Sequence, residues 1–160
     1  DPTDHYYNFA IVGRDIAYTA LPSSGTATYT GGLDGYFKYD SNATVGTLTG
    51  NSSFTANWAT SEISGRFSNF TLSLGSNTTS FNDLVFLEKP ITSQAGIASF
   101  VSNVVISGPG LDTDGHWLYG AFFDGNHTSG TAPASLGGTY RFEDAANTGY
   151  GAFFFAATKD

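Results

Sequence analysis

The chain is 160 residues long, with no cysteine, 14 acidic against 6 basic side chains and a formal net charge of −8. One domain of this size buries roughly 70% of its unfolded surface without staples; the missing thiols exclude a disulfide framework, a thiolate zinc site and a cysteine nucleophile, and the acidic balance argues against nucleic acid as a partner. Charged residues at 12%, 20 glycines and 16% aromatics disfavour a helical domain and a disordered one alike, since surface helices draw on Glu, Lys, Arg and Ala and disordered chains are poor in aromatics.

The first 22 residues read as an N-terminal extension able to pack as an extra strand, and residues 23–160 as a single barrel domain. In Thr26 to Thr30, Ala27 and Tyr29 alternate with threonines, and Gly31-Gly32 leads into Leu33 to Tyr39. Ser52 to Trp58 is the clearest half-buried strand, with Phe54, Ala56 and Trp58 on one face and Ser53, Thr55 and Asn57 on the other. Ile63 and Phe67 share one phase while Phe70, Leu72 and Leu74 take the other, which demands a bulge or bend near Ser68-Asn69. Gly75 to Asn82 reads as a polar turn, Leu84 to Leu87 as an apolar run that Pro90 ends, and Ile97 to Ile106 as strand rather than short helix, because Val101, Val104, Val105 and Ile106 are β-branched. After loops at Gly108-Pro109-Gly110 and Asp112 to Gly115 come three regular segments, His116 to Phe123, Leu136 to Phe142 and Tyr150 to Ala156. With about eight such strands separated by turn residues, the expected fold is all-β, a single eight-stranded antiparallel up-and-down barrel with little helix. Closure removes the edges that so uncharged a sheet would otherwise expose.

Several of these segments carry a distinctive glycine and aromatic pattern. Tyr119-Gly120-Ala121-Phe122-Phe123-Asp124-Gly125, then Gly137-Gly138-Thr139-Tyr140-Arg141-Phe142, then Gly151-Ala152-Phe153 resemble the C-terminal β-barrel of the transferrin-binding protein B family. Gly25-Thr26-Ala27-Thr28-Tyr29-Thr30-Gly31 and Ile63-Ser64-Gly65-Arg66-Phe67 look like that family's opening strand and its Ser/Thr-Gly strand. The resemblance runs from Gly25 to Lys159 and implies a bacterial surface or secreted barrel that binds a solute or a host protein. It gives Gly120, Ala121, Phe122, Gly137, Gly138, Gly151, Ala152 and Phe153 structural roles in the barrel wall. Where the family pattern continues Gly-Pro after its Gly-Ala-Phe strand, this chain has Asp124-Gly125-Asn126-His127, so inherited loop contacts do not carry over. The family's full-length members add a handle domain and a lipid-anchoring cysteine; here the expectation is a mature or trimmed product, freely secreted or freed of its anchor.

No constellation for catalysis is legible, and the chain is read as a non-enzyme. Gly-x-Ser-x-Gly does not occur, nothing in the sequence brings Glu62 and Glu143 together as an acid/base pair, and Asp112-Thr113-Asp114-Gly115 lacks the later ligands of a calcium loop. His5, His116 and His127 do not have the spacing of a zinc site, so no metal ligands are assigned. Haem needs only one His or Tyr axial ligand among aromatics, and His5, Tyr6, Tyr7 and His127 could supply it; some relatives of these barrels bind haem or haemoglobin, so haem acquisition is admitted, though no cofactor is required. Asp124 and Asn126 join them as ligand-binding candidates, because loops such as Asp124 to Ala134 and Gly108 to Gly115 carry function on rigid scaffolds.

The leading expectation is a secreted or surface-displayed binding module, at the outer-membrane surface of a Gram-negative bacterium or released from it after removal of a signal peptide, with a protein or haemoprotein partner. The alternatives are a self-assembling subunit of a surface layer, filament or envelope structure, and a small transmembrane barrel. Five Asn-x-Ser/Thr sequons, at Asn42, Asn51, Asn69, Asn77 and Asn126, leave glycosylation open.

Overall fold

The computed structural model describes residues 13–39, 45–80, 83–102, 117–143 and 149–160. A short 3₁₀ turn at Tyr18–Ala20 precedes nine strands: β1 (Thr26–Tyr39), β2 (Val45–Asn57), β3 (Glu62–Leu74), β4 (Asn77–Ser80), β5 (Leu84–Gln94), β6 (Ile97–Ser102), β7 (Trp117–Phe123), β8 (Ser135–Glu143) and β9 (Gly149–Lys159). Each pairs antiparallel with its neighbours, and β1 pairs with both β2 and β9, which closes the sheet into a ring. β4 and β5 keep the same offset against β3, as Thr71↔Ser80 and Phe67↔Leu84 show, and therefore share one position. Nine strands thus occupy eight positions, as the sequence predicts.

The bulge predicted near Ser68-Asn69 is present. Pairing shifts between Thr49↔Thr71 and Asn51↔Ser68, and Asn69 takes a positive φ of 53°. This extra residue lets Ile63 and Phe67 on one side of it, and Phe70 and Leu72 on the other, all point inward although they differ in phase. Two expectations are corrected. The predicted turn at 75–82 is a two-residue reversal at Gly75-Ser76 followed by β4, whose four residues are all exposed; their lack of apolar alternation hid the strand. Pro90 does not end its strand, because it lies where β5 passes from pairing with β3 to pairing with β6, next to an irregularity in register. The segment after Ser102 in the predicted strand 97–106, and the loops at 108–115, lie outside the described residues.

Glycines and phenylalanines are partners across the ladder. Gly65 stands between Phe54 and Phe86, Gly120 opposite Phe100, Gly138 opposite Phe155, and Gly151 between Phe37 and Phe142. At each of these glycines a Cβ would collide with a facing ring. A narrow ring of strands leaves too little inner radius for a side chain at every inward position, so large rings lie across glycines. Phe67 sits at the centre, with ring centroids of Phe153, Phe155, Phe54, Tyr140 and Phe86 at 4.8, 5.2, 5.7, 5.8 and 6.2 Å. The described interior is therefore packed aromatic core, each buried ring contributing about 1.5–3 kcal/mol.

Candidate functional site

The loop from β7 to β8, residues 124–134, closes one end of the barrel together with the N-terminal segment. Asp124 organises it: one carboxylate oxygen accepts the Asn126 N–H at 3.0 Å and the other accepts the Ala134 N–H at 3.2 Å. The Asp124 N–H donates to the Arg14 carbonyl at 3.1 Å, and the Arg14 guanidinium donates to the Gly125 carbonyl at 3.3 Å. His127 turns inward, its side chain only 9% exposed, with Nε2 on the Ala20 carbonyl at 3.1 Å. Because a carbonyl only accepts, Nε2 carries the proton. Nδ1 lies 3.6 Å from the Asp124 carboxylate, beyond hydrogen-bond reach, and is buried without a hydrogen bond. Tyr29 reaches the same cap from β1 and donates its hydroxyl to the Pro133 carbonyl at 3.1 Å.

These contacts set the charge states. The Asn126 N–H holds the Asp124 carboxyl below the usual aspartate range; desolvation opposes it, and the Ala134 N–H adds to the lowering. Burial, with the Asp124 charge behind it, pushes the Tyr29 phenol up, and burial alone does the same to Tyr140. Both phenols stay protonated, so neither offers a phenolate ligand. Since the folded Asp124 carboxyl lies below its unfolded value of about 3.9, its stabilisation is complete above that pH and is lost as pH falls through the lower folded value. Asp160, held down by the hydroxyls of Thr30 and Thr28, has the same sign. Asp124→Asn is expected to lower stability at neutral pH and to flatten the acid limb of a urea-midpoint profile; a limb of unchanged slope would remove Asp124 from this role.

Of the residues singled out in the sequence, Asp124 and His127 come together in the cap, where their polar atoms brace the loop, and the Asn126 side chain stays exposed. His5, Tyr6 and Tyr7, like His116, lie outside the described residues. Gly120, Phe122, Gly138, Gly151 and Phe153 take the inner phase of the wall, and Ala121, Gly137 and Ala152 the outer phase of the same strands. Among the described residues no group of three or more His, Asp or Glu side chains could hold a metal ion.

Functional candidates that no sequence motif marks lie on the outer wall. Trp117 and Tyr119 on β7 are 49% and 37% exposed, and Val85 and Leu87 on β5 are 47% and 77% exposed. Tyr119 is the register partner of Val101 and Thr139, and Trp117 that of Arg141. The signal was available, for Trp117 and Tyr119 alternate with the buried Leu118 and Gly120. The walls of β1 and β2 are different, with Thr26, Thr28, Thr30, Thr49, Asn51 and Thr55 exposed.

No protein-family model and no curated protein matches the chain. Among solved structures it is similar to a double mutant of the vaccine antigen transferrin-binding protein B from Haemophilus parasuis Hp5, with a TM-score of 0.60 and 16% identity over 91% of this chain and 27% of that one. A single mutant of the same antigen gives a TM-score of 0.56 and 15% identity over 91% of this chain and 29% of that one. The chain spans less than a third of the length of either protein. By fold, it is a transferrin-binding-protein-B-like antiparallel barrel.

Proposed function

We propose that the chain is a non-enzymatic binding module of a Gram-negative bacterial surface, displayed or secreted, that engages a protein partner with the outside of its barrel. The observation that carries this reading is the filled interior: rings around Phe67 occupy the space in which a lipocalin-like barrel would hold a small ligand. Recognition then falls to the outer wall and the ends. Trp117, Tyr119 and Arg141 are of the residue types that dominate binding energy at interfaces, and they sit on rigid paired strands. The hydroxyl-lined walls of β1 and β2 suit water better than lipid, since a membrane barrel carries its apolar residues outward. The likeness to transferrin-binding protein B supports a host protein as the partner class, with iron or haem acquisition as the purpose.

Immobilised transferrin, haemoglobin and haem, tested against the purified chain, separate the readings. Binding to one of the proteins is expected, with at least about a tenfold loss of affinity in Trp117→Ala/Tyr119→Ala and none in Thr28→Ala/Thr55→Ala on the other wall. Equal binding by both double variants would move the site off β7. Concentration-dependent self-association, with no binding to any of the three, would favour the structural-subunit reading instead, in which Val85, Leu87, Trp117 and Tyr119 pack against copies of the chain.

A further inference from the structure

Strands β6 and β7 pair from Ser102↔Leu118 to Ser99↔Ala121. One step further toward the capped end the register would oppose Ala98 to Phe122, and the next step Ile97 to Phe123. The backbone of Ile16 stands there instead: its N–H donates to the Phe122 carbonyl at 3.2 Å, and its carbonyl accepts the Ala98 N–H at 2.8 Å. Asp15 bridges Phe123 and Ala17 bridges Ile97, both antiparallel. Since β6 and β7 run in opposite directions, one segment antiparallel to both has to reverse, and it does so at Ile16. Residues 13–21 are therefore a hook whose apex, 3% exposed, is driven between two strands of the wall.

We propose that this hook is releasable and that the β6–β7 seam has two arrangements: hook seated, or hook withdrawn with the ladder zipped through Ala98↔Phe122 and Ile97↔Phe123. The Ala98 N–H and the Phe122 carbonyl have a partner in both states, so exchange leaves neither of them unsatisfied. The ring is closed between β1 and β9 without the hook. Ile16 is the hook's one buried side chain, with Tyr18, Ala20 and Leu21 only partly buried, and the link to β1 ends at Gly25 with a positive φ of 87°. Seating is held by Ile16 burial, by the Tyr18 N–H on the Gly96 carbonyl at 2.9 Å and by the cap contacts of Arg14 and Ala20. A segment with one fully buried side chain, competing with a native ladder, opens at lower free energy than the barrel it enters.

The chain has no cysteine, so thiols placed in the full-length protein report cleanly. Ala17→Cys/Ile97→Cys pairs the seated state and Ile97→Cys/Phe123→Cys the zipped one, both at cross-strand spacings that a disulfide spans. A single Ala56→Cys, at a fully buried position, supplies a clock for global unfolding through its alkylation rate. In a glutathione buffer the seated pair is expected to close first, and the zipped pair more slowly but at least about tenfold faster than the Ala56→Cys clock. Adding Ile16→Ala should speed closure of the zipped pair at least about tenfold relative to that clock measured in the same background. Closure of the zipped pair at the rate of the clock, or no closure in the folded chain, overturns the proposal.

Discussion

Replacing Gly31 with alanine is expected to destabilise the barrel by about 3 kcal/mol, whereas alanine at Gly32, the next residue, is expected to be neutral or stabilising by up to about 1 kcal/mol. Both lie on β1 where it pairs with β9, the seam that closes the ring. A Cβ at Gly31 would run into the Ala156 carbonyl and come within 2.7 Å of the Ala157 Cα. Those are backbone atoms of a strand paired on both edges, so relief requires moving the seam itself. At Gly32 the nearest atom to an added Cβ is the Gly50 carbonyl oxygen, an ordinary contact at 3.7 Å, and what remains is the entropy that glycine loses on folding. Thermal unfolding should show a drop of about 6–12 °C for Gly31→Ala, at about 2–4 °C per kcal/mol for a domain of this size, and no drop for Gly32→Ala. Equal effects at the two positions would mean that β1 and β9 are not in close approach at this register.

That pair of neighbours also shows how far the sequence could be read. Alternation places Tyr29, Leu33, Phe37, Phe54 and Ile63 inward because period two is a property of any pleated strand with one buried face. The conflict of phase between Phe67 and Phe70 predicts a bulge for the same reason, and Asn69 supplies the conformation. Which glycine faces a backbone and which faces open space is not local information. Phase puts Gly31 inward with Tyr29 and Leu33 and Gly32 outward, but the close approach of the Ala156 and Ala157 backbone to Gly31 comes from β9, more than 100 residues away. β4 escaped notice because its side chains are all exposed, and Pro90 misled because its position at a change of partner depends on two other strands.

Much less of the candidate site was legible. The loop 124–134 is legible between two strands, and the Asp124 contacts to Asn126 and Ala134 lie within it, but the partners of His127 and of the Gly125 carbonyl come from the N-terminal segment, more than 100 residues away in the chain. No spacing rule reaches across that distance. Asp124 and His127 drew attention as isolated polar residues with ligand chemistry; the structure has them bracing Asn126, Ala134 and Ala20. Trp117 and Tyr119 stand in the phase opposite to the buried Leu118, which already puts them outside.

Phe67→Ala is expected to cost about 4 kcal/mol and to open a binding cavity in the space its ring fills among the described residues. Phe67 is fully buried, and five rings surround it at centroid distances of 4.8 to 6.2 Å. Each of those rings is fixed by a glycine or another ring behind it: Phe86 and Phe54 by Gly65, Phe155 by Gly138, Phe153 by Tyr140 at 5.0 Å, and Tyr140 by Phe142 at 5.9 Å. The neighbours cannot collapse into the space without leaving those positions, which puts the loss toward the upper part of the range for aromatic deletions. Phe67→Leu, which keeps most of the volume, should cost clearly less. The vacated space is lined by aromatic and aliphatic carbon, so it should stay dry and accept a benzene-sized molecule, whose binding raises the unfolding midpoint of the variant by mass action. The native chain should show no such rise. A native midpoint that climbs with the apolar ligand would mean that the interior already holds room for a guest, and recognition would then have to be sought inside the barrel as well as on its outer wall.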